Sequence, residues 1–267
     1  QITSGLVIAT MMLILFLILS FLLSLVRMVI TNYELKFLRS EDGFKINAGL
    51  FTKKDTSALD QKIQLISIAD NPLKKLIGIK DLNLKQAGTV AINAKNSIRV
   101  PGCKEEHIQL VQATLYGHDV LDHIEYHGID KRYFIRNGGI MGMIFFIFIG
   151  GAIYLESFYQ AIILGVVAIF AIGTFYLTYK KKRYGFSDEM LVIRGGAYGD
   201  KSEVLPIYKI QALSRNQTPY QTRNNLANLV IHTAAGKVAI PYIPDQIARR
   251  IIDQLLYKVE VDKRKWM

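Results

Sequence analysis

Residues Gln61 to Gly88 read QKIQLISIADNPLKKLIGIKDLNLKQAG, and residues Tyr208 to Gly236 read YKIQALSRNQTPYQTRNNLANLVIHTAAG. Lys62, Ile63 and Gln64 recur as Lys209, Ile210 and Gln211, 147 positions on. The same shift carries Pro72 to Pro219, Leu82 to Leu229 and, upstream, Gly49 to Gly196. One shift held over that distance marks the duplication of a whole module. The rest of the chain is read around these two copies.

What separates them is apolar. Leu6 to Val26 runs without a charge, long enough at 1.5 Å per residue to cross a hydrocarbon core of about 30 Å. It lacks the basic leader and short apolar core of a signal peptide and reads as a membrane helix. Two more apolar runs, about Gly138–Leu155 and Tyr159–Tyr179, meet at Glu156-Ser157 and form a helical hairpin. Lys131, Arg132 and Arg136 precede that hairpin, and Lys180, Lys181, Lys182 and Arg183 follow it. The positive-inside rule then puts both feet, and both modules, in the cytoplasm. Arg27 and Lys36 place the end of the first helix on the same side. The chain opens on Gln1, and its first helix lacks a hairpin partner, so it reads as the C-terminal part of a longer product.

The predicted organisation is a transmembrane helix at 1–30, a first module at 31–117 and a juxtamembrane linker at 118–137. A transmembrane hairpin at 138–179 and a second module at 180–267 complete it. In the first module, Tyr33, Leu35 and Phe37 alternate with charge, and Phe44, Ile46 and Ala48 alternate with Lys45 and Asn47, the period of half-buried strands. Lys53–Leu59, Ile63–Ile68, Lys80–Gln86, Thr89–Ala94 and Ser97–Val100 read as further strands. Asn71-Pro72 starts a short helix and Gly78 stops it. Leu73, Leu76 and Ile77 give that helix an apolar side opposite Lys74 and Lys75. A helix from about Lys104 to Tyr116 closes the module, with Ile108, Val111 and Leu115 on one face. The second module repeats the order and closes with a helix from about Pro244, carrying Ile247, Ile251 and Leu255. It departs at Arg223-Asn224-Asn225, which replaces Leu76-Ile77-Gly78, and a loop is expected there.

The net charge of +11 is unevenly placed: residues 180–267 hold 16 basic and 8 acidic side chains, residues 31–138 hold 16 and 13. Beside membrane segments this favours anionic lipid over nucleic acid, for which no binding motif appears. The single Cys103 excludes an intrachain disulfide framework and reads as a small core residue. No glycine-rich nucleotide fingerprint and no catalytic constellation is present, so the chain reads as no enzyme, with no metal and no cofactor. The nearest thing to a ligand set is GHDVLDHIEYHG, where Asp119, His123 and His127 would share a helical face, with His118 and Asp122 beside them. A polar linker explains it as well. A metal-dependent membrane enzyme rests on that cluster alone. No charge interrupts the middle of the membrane runs, which weighs against a transporter.

A seven-stranded roll closed by one C-terminal helix has the order of a pleckstrin-homology (PH) domain. The run KIQLISIADNPLKKLIG…LNLKQAG resembles the repeat of YdbT-like bacterial PH-domain membrane proteins, and the resemblance covers nearly the whole chain. It implies an α+β membrane protein in which transmembrane helices alternate with two PH-like β-roll modules. It further implies a lipid- or protein-binding scaffold at the bacterial plasma membrane, in envelope stress or antimicrobial resistance. Its partners would be membrane lipids and a smaller related PH-domain membrane protein, or a second copy of itself. Lys53, Lys54, Lys62, Lys74 and Lys75 of the first module, with Lys209, Arg215 and Arg223 of the second, are the candidates to hold an anionic headgroup. The alternative is a lipid-handling or transport component, which a large apolar cavity between the modules would favour.

Overall fold

The computed structural model of the 267-residue chain describes residues 2–88, 97–117, 124–262 and 264. The expected strand at Thr89–Ala94 and most of the histidine cluster, His118 to His123, lie outside the described residues. The chain falls into two compact units, Gln1–Leu59 and Asp60–Met267.

The first unit holds α1 (Ile2–Thr31) and a meander of β1 (Lys36–Ser40), β2 (Gly43–Ala48) and β3 (Lys54–Leu59). Its strands pair in the order β1-β2-β3, all antiparallel. The turn after β2 bonds back to the foot of the helix: Gly49 N–H donates to Tyr33 O and Leu50 N–H to Ile30 O.

The second unit contains β4 (Ile63–Ala69), α2 (Pro72–Ile77), β5 (Lys80–Gln86), β6 (Ile98–Cys103) and α3 (Glu105–Tyr116). After β7 (Tyr126–Gly128) come the membrane helices α4 (Arg132–Tyr154) and α5 (Phe158–Lys181). Then follow β8 (Arg183–Phe186), β9 (Met190–Gly195), β10 (Lys201–Pro206), β11 (Ala212–Asn216) and α6 (Pro219–Arg223). The unit ends in β12 (Leu226–Thr233), β13 (Gly236–Pro244) and α7 (Asp245–Val261). The 147-residue shift now has a structural meaning. It maps β2 onto β9 and β3 onto β10 residue for residue, and it maps α2 onto α6 and β5 onto β12 within a residue.

The modules do not sit apart as beads. A single seven-stranded sheet runs β6-β5-β4-β10-β9-β8-β7, joining strands of both copies through an antiparallel β4–β10 pair. Lys201 lies opposite Ala69, and Val204 opposite Ile66. Leu65 of β4 enters the core built by Leu191, Leu205, Leu229, Ile231 and Ile251 of the second module. That core is capped by α7, whose Ala248, Ile251 and Leu255 are buried at helical spacing. Tyr126–Gly128, inside the stretch read as a linker, supplies the outermost strand β7.

The register fixes which end of the sheet meets the membrane. β8 begins at Arg183, two residues after α5 ends, and Gly128 pairs with Arg183 shortly before α4 begins. Across the sheet, that row continues through Arg194 and Gly195, Lys201, Ala69 and Asp81 to Cys103. The turns Asp60–Lys62, Ser187–Glu189 and Ile207–Lys209 lie at the opposite end. With strands rising about 3.3 Å per residue, the two ends are some 20 Å apart.

The short helix α2 forms as its sequence demands. Asn71 Oδ1 accepts from Lys74 N–H at 2.8 Å, Pro72 opens the first turn and Gly78 closes it at φ 72°. Its two faces are reversed from the usual arrangement. Lys74 is half-buried against Asp81 and Lys75, itself exposed, reaches across to Asp200, while Leu73, Leu76 and Ile77 are 71%, 86% and 71% exposed. Each such side chain left in water forgoes about 1.5–3 kcal/mol of burial. In the second module the expected loop is a helix, α6. Thr218 and Gln221 form a capping box, and the buried Gln221 amide donates to Asn228 Oδ1 at 2.7 Å.

Candidate functional site: a basic cleft at the membrane end of the shared sheet

The β9–β10 turn begins at Gly196, φ 112°, and climbs beside α5. The Tyr198 and Thr174 hydroxyls share a hydrogen bond at 2.7 Å, and the Lys181 ammonium donates to Gly199 O at 3.0 Å. On its other side the turn lies against the start of α2. A Cβ on Gly199 would collide with Asp70 O, so only glycine permits this approach. Asp70 N–H donates to Asp200 O at 2.9 Å, and Asp200 N–H to Asp70 Oδ1 at 2.6 Å.

Asp200 ties three elements together. Its Oδ1 meets Lys181 of α5 at 2.7 Å and its Oδ2 meets Lys75 of α2 at 2.6 Å. The hydrogen bonds from Lys181 and Lys75 hold its carboxyl below the usual carboxylate range, and Asp200 in turn raises the Lys75 ammonium. Around this hub opens a cleft of about 660 Å³. Lys75 and Lys80 line it from the first module, Lys180 and Lys181 from the hairpin, and Arg183, Arg194 and Lys201 from the second module. Three carboxylates oppose these seven cations: Asp70, Glu105 and Asp200. Lys80 is paired with Glu105 at 2.5 Å and Lys201 with Glu203 at 2.9 Å. The Arg194 guanidinium lies 3.9 Å from the centre of the Tyr126 ring, and its Nε is buried without a hydrogen-bond partner among the described residues. The excess is positive and polar, suited to an anion at the foot of a membrane helix.

Of the eight residues named from the sequence as headgroup candidates, Lys75 alone lines this cleft. Lys74 stands behind it, bound to Asp81 at 2.5 Å. Lys53 and Lys54 belong to the first unit and are exposed. Lys62 and Lys209 lie at the far end of the sheet, Lys62 exposed and Lys209 buried. Arg215 is paired with Asp245 at 2.5 Å. Arg223 is exposed on α6, whose Tyr220 ring lies 5.9 Å from Arg136 at the foot of α4. Arg183, Arg194 and Lys201 went unremarked as site residues because only strand pairing brings them together: Arg183 faces Arg194, and Lys201 faces Gly195. Among the described residues no group of three or more His, Cys, Asp and Glu could hold a metal. The His127 ring lies 5.9 Å from that of Tyr184, tilted 47° to it.

Among the described residues, three helices are long and apolar enough to cross a membrane: α1 (over Ile14–Thr31), α4 and α5. The bacterial PH domain family matches the chain twice, over residues 3–118 and 144–259. No curated protein and no solved structure matches it. Both family matches begin inside a membrane helix and run through the following strands to the closing helix. The chain thus belongs to the bacterial PH domain family, as a tandem of two PH-like modules joined by a membrane hairpin.

Proposed function

We propose that the protein is a non-enzymatic scaffold of the bacterial plasma membrane, multi-pass, with its modules in the cytoplasm. Its basic cleft holds the phosphate of an anionic lipid of the inner leaflet. The observation that carries this reading is the placement of Lys180, Lys181, Arg183, Arg194 and Lys201 around one opening at the foot of α5. A headgroup would reach it without leaving the bilayer, and each basic side chain near an anionic surface adds about 1 kcal/mol of attraction. The charged lining supports headgroup binding over passage of acyl chains. A partner of the same family, a smaller relative or a second copy, and a role in envelope stress fit such a scaffold.

The test is lipid retention by the purified full chain in mixed phosphatidylglycerol–phosphatidylcholine nanodiscs, followed by native mass spectrometry. Phosphatidylglycerol is expected to be retained several-fold over phosphatidylcholine, with the preference falling when Lys180 and Lys201 are changed to alanine. Equal retention of the two lipids, or a preference untouched by those changes, would sink the proposal.

A further inference from the structure

The reversed helix α2 carries an inference of its own. Both its lysines are tied to carboxylates, the half-buried Lys74 to Asp81 and the exposed Lys75 to Asp200, and this fixes the roll of the helix. Leu73, Leu76 and Ile77 therefore form an apolar ridge that the described residues leave exposed. The position of that ridge is set by the same contacts. Lys75 and Lys181 grip opposite oxygens of one carboxylate, so α2 lies within two side-chain lengths of the last turn of a membrane helix. The turn packed against Asp70 and Asn71 reaches as high as Thr174, seven residues and about 10 Å back along α5.

We propose that α2 inserts this ridge into the headgroup–acyl boundary of the bilayer that the hairpin spans, as an interfacial anchor for the first module. The occupant is the lipid surface itself. Cations flank the apolar ridge (Lys75, Lys80 and Lys181), the arrangement that suits an apolar face beneath anionic headgroups. The counterpart helix α6 buries Gln221 and exposes no large aliphatic side chain, so the anchor belongs to the first module alone. The inference rests on the hairpin crossing a membrane and is independent of any headgroup bound in the cleft.

Single cysteines at Leu76 and, as a control, at Tyr257 test it. Tyr257 is 68% exposed and sits beside Lys258, which reaches Asp188 at the far end of the sheet. Each full-length variant carries a small environment-sensitive fluorophore and is reconstituted in neutral and in anionic vesicles. Nitroxide-labelled lipid and aqueous iodide serve as quenchers. The Leu76→Cys probe is expected to be quenched at least threefold more by the lipid nitroxide than the Tyr257→Cys probe, in both vesicle types, and to be shielded from iodide. Leu73→Cys and Ile77→Cys probes should follow Leu76→Cys. Iodide access equal to that of the control would overturn the inference, as would shielding from both quenchers, which would mean a protein partner covers the ridge. Loss of lipid preference in the cleft with the quenching pattern intact would sink only the headgroup proposal.

Discussion

The ammonium of Lys209, in the second module, donates to the main-chain carbonyl of Ile63, in the first. It also reaches Gln61 O at 3.1 Å, and the residue is only 4% exposed. Burial pushes its pKa down from 10.5 to about 8, against the opposing pull of Asp60. This clamp lies at the end of the sheet away from the membrane, so it acts on the join between modules rather than on lipid.

Replacing Lys209 by methionine removes both charge-assisted bonds, and the unfolding free energy is expected to fall by about 1.5–3 kcal/mol at pH 7.5. The pH dependence gives a second reading. Unfolded, this lysine keeps its proton up to about pH 10.4. Folded, it releases the proton near 8. Between those values the unfolded chain binds more protons, so the cost of burying the charge is present below pH 8 and is relieved as pH rises. Denaturant midpoints of the two proteins at pH 7.5 and 10 check this: the wild-type chain should gain relative to Lys209→Met. A difference that does not change with pH would contradict the burial.

Asp200 ties Lys181 to Lys75, and its neutralisation separates two effects. Its folded pKa is depressed, so its stabilisation is present above the ordinary value of 3.8 and is lost as pH falls through the folded value. Because the side chain is 47% exposed, solvent screens it and Asp200→Asn should cost no more than about 1 kcal/mol. The same change adds one unit of positive charge to the cleft, so retention of phosphatidylglycerol is expected to rise. Weaker retention would show that the carboxylate positions the lysines rather than competing with the lipid.

Gly199→Ala introduces a Cβ against the Asp70 carbonyl, where the neighbour is backbone and cannot swing aside. A loss of about 1–3 kcal/mol is expected, with exchange protection lowered at Ala69 and Asp70. The corresponding position of the first module, 147 residues earlier, is Thr52, in a turn of otherwise similar geometry where Gly49 repeats the positive φ of Gly196. The turn itself therefore accepts a side chain. Thermal melts of Gly199→Ala and Thr52→Ala should differ accordingly.

Cys103 closes the membrane-end row of the sheet and is 4% exposed. Burial pushes its thiol up to about 11, so little thiolate exists at pH 7.5. A maleimide should leave the folded chain unmodified and label it once on denaturation. Labelling of the native protein within minutes would show that this corner of the sheet opens.

Much of this architecture is written in local pattern. The alternation of Phe44, Ile46 and Ala48, the Asn71-Pro72 start with its Gly78 stop, and the two apolar runs around Glu156 all depend on neighbours in sequence. They were legible for that reason. The joining of β4 to β10 was not, since main-chain pairing across a strand edge uses groups every residue carries. With it went the basic cleft, whose members Arg194 and Lys201 come together only through that pairing and the β9–β10 turn. The orientation of α2 misled for a different reason. Leu73, Leu76 and Ile77 mark an apolar side in the sequence, but the partners of Lys74 and Lys75, Asp81 and Asp200, are what decide which side faces in. In α6, the Thr218–Gln221 capping box is enough to start a helical turn in spite of Arg223-Asn224-Asn225.

The shared sheet also sets an order of events during synthesis. Asp70 and Asp200 meet across 130 positions, and the whole membrane hairpin lies between them. β4 leaves the ribosome before α4 and α5, and its partner β10 emerges only after both. Through that interval one edge of β4 is an open template for any passing strand. Insertion of the hairpin thus becomes a timed step of assembly, and a hairpin that stalls would strand the first module half paired, as a substrate for chaperones and proteases.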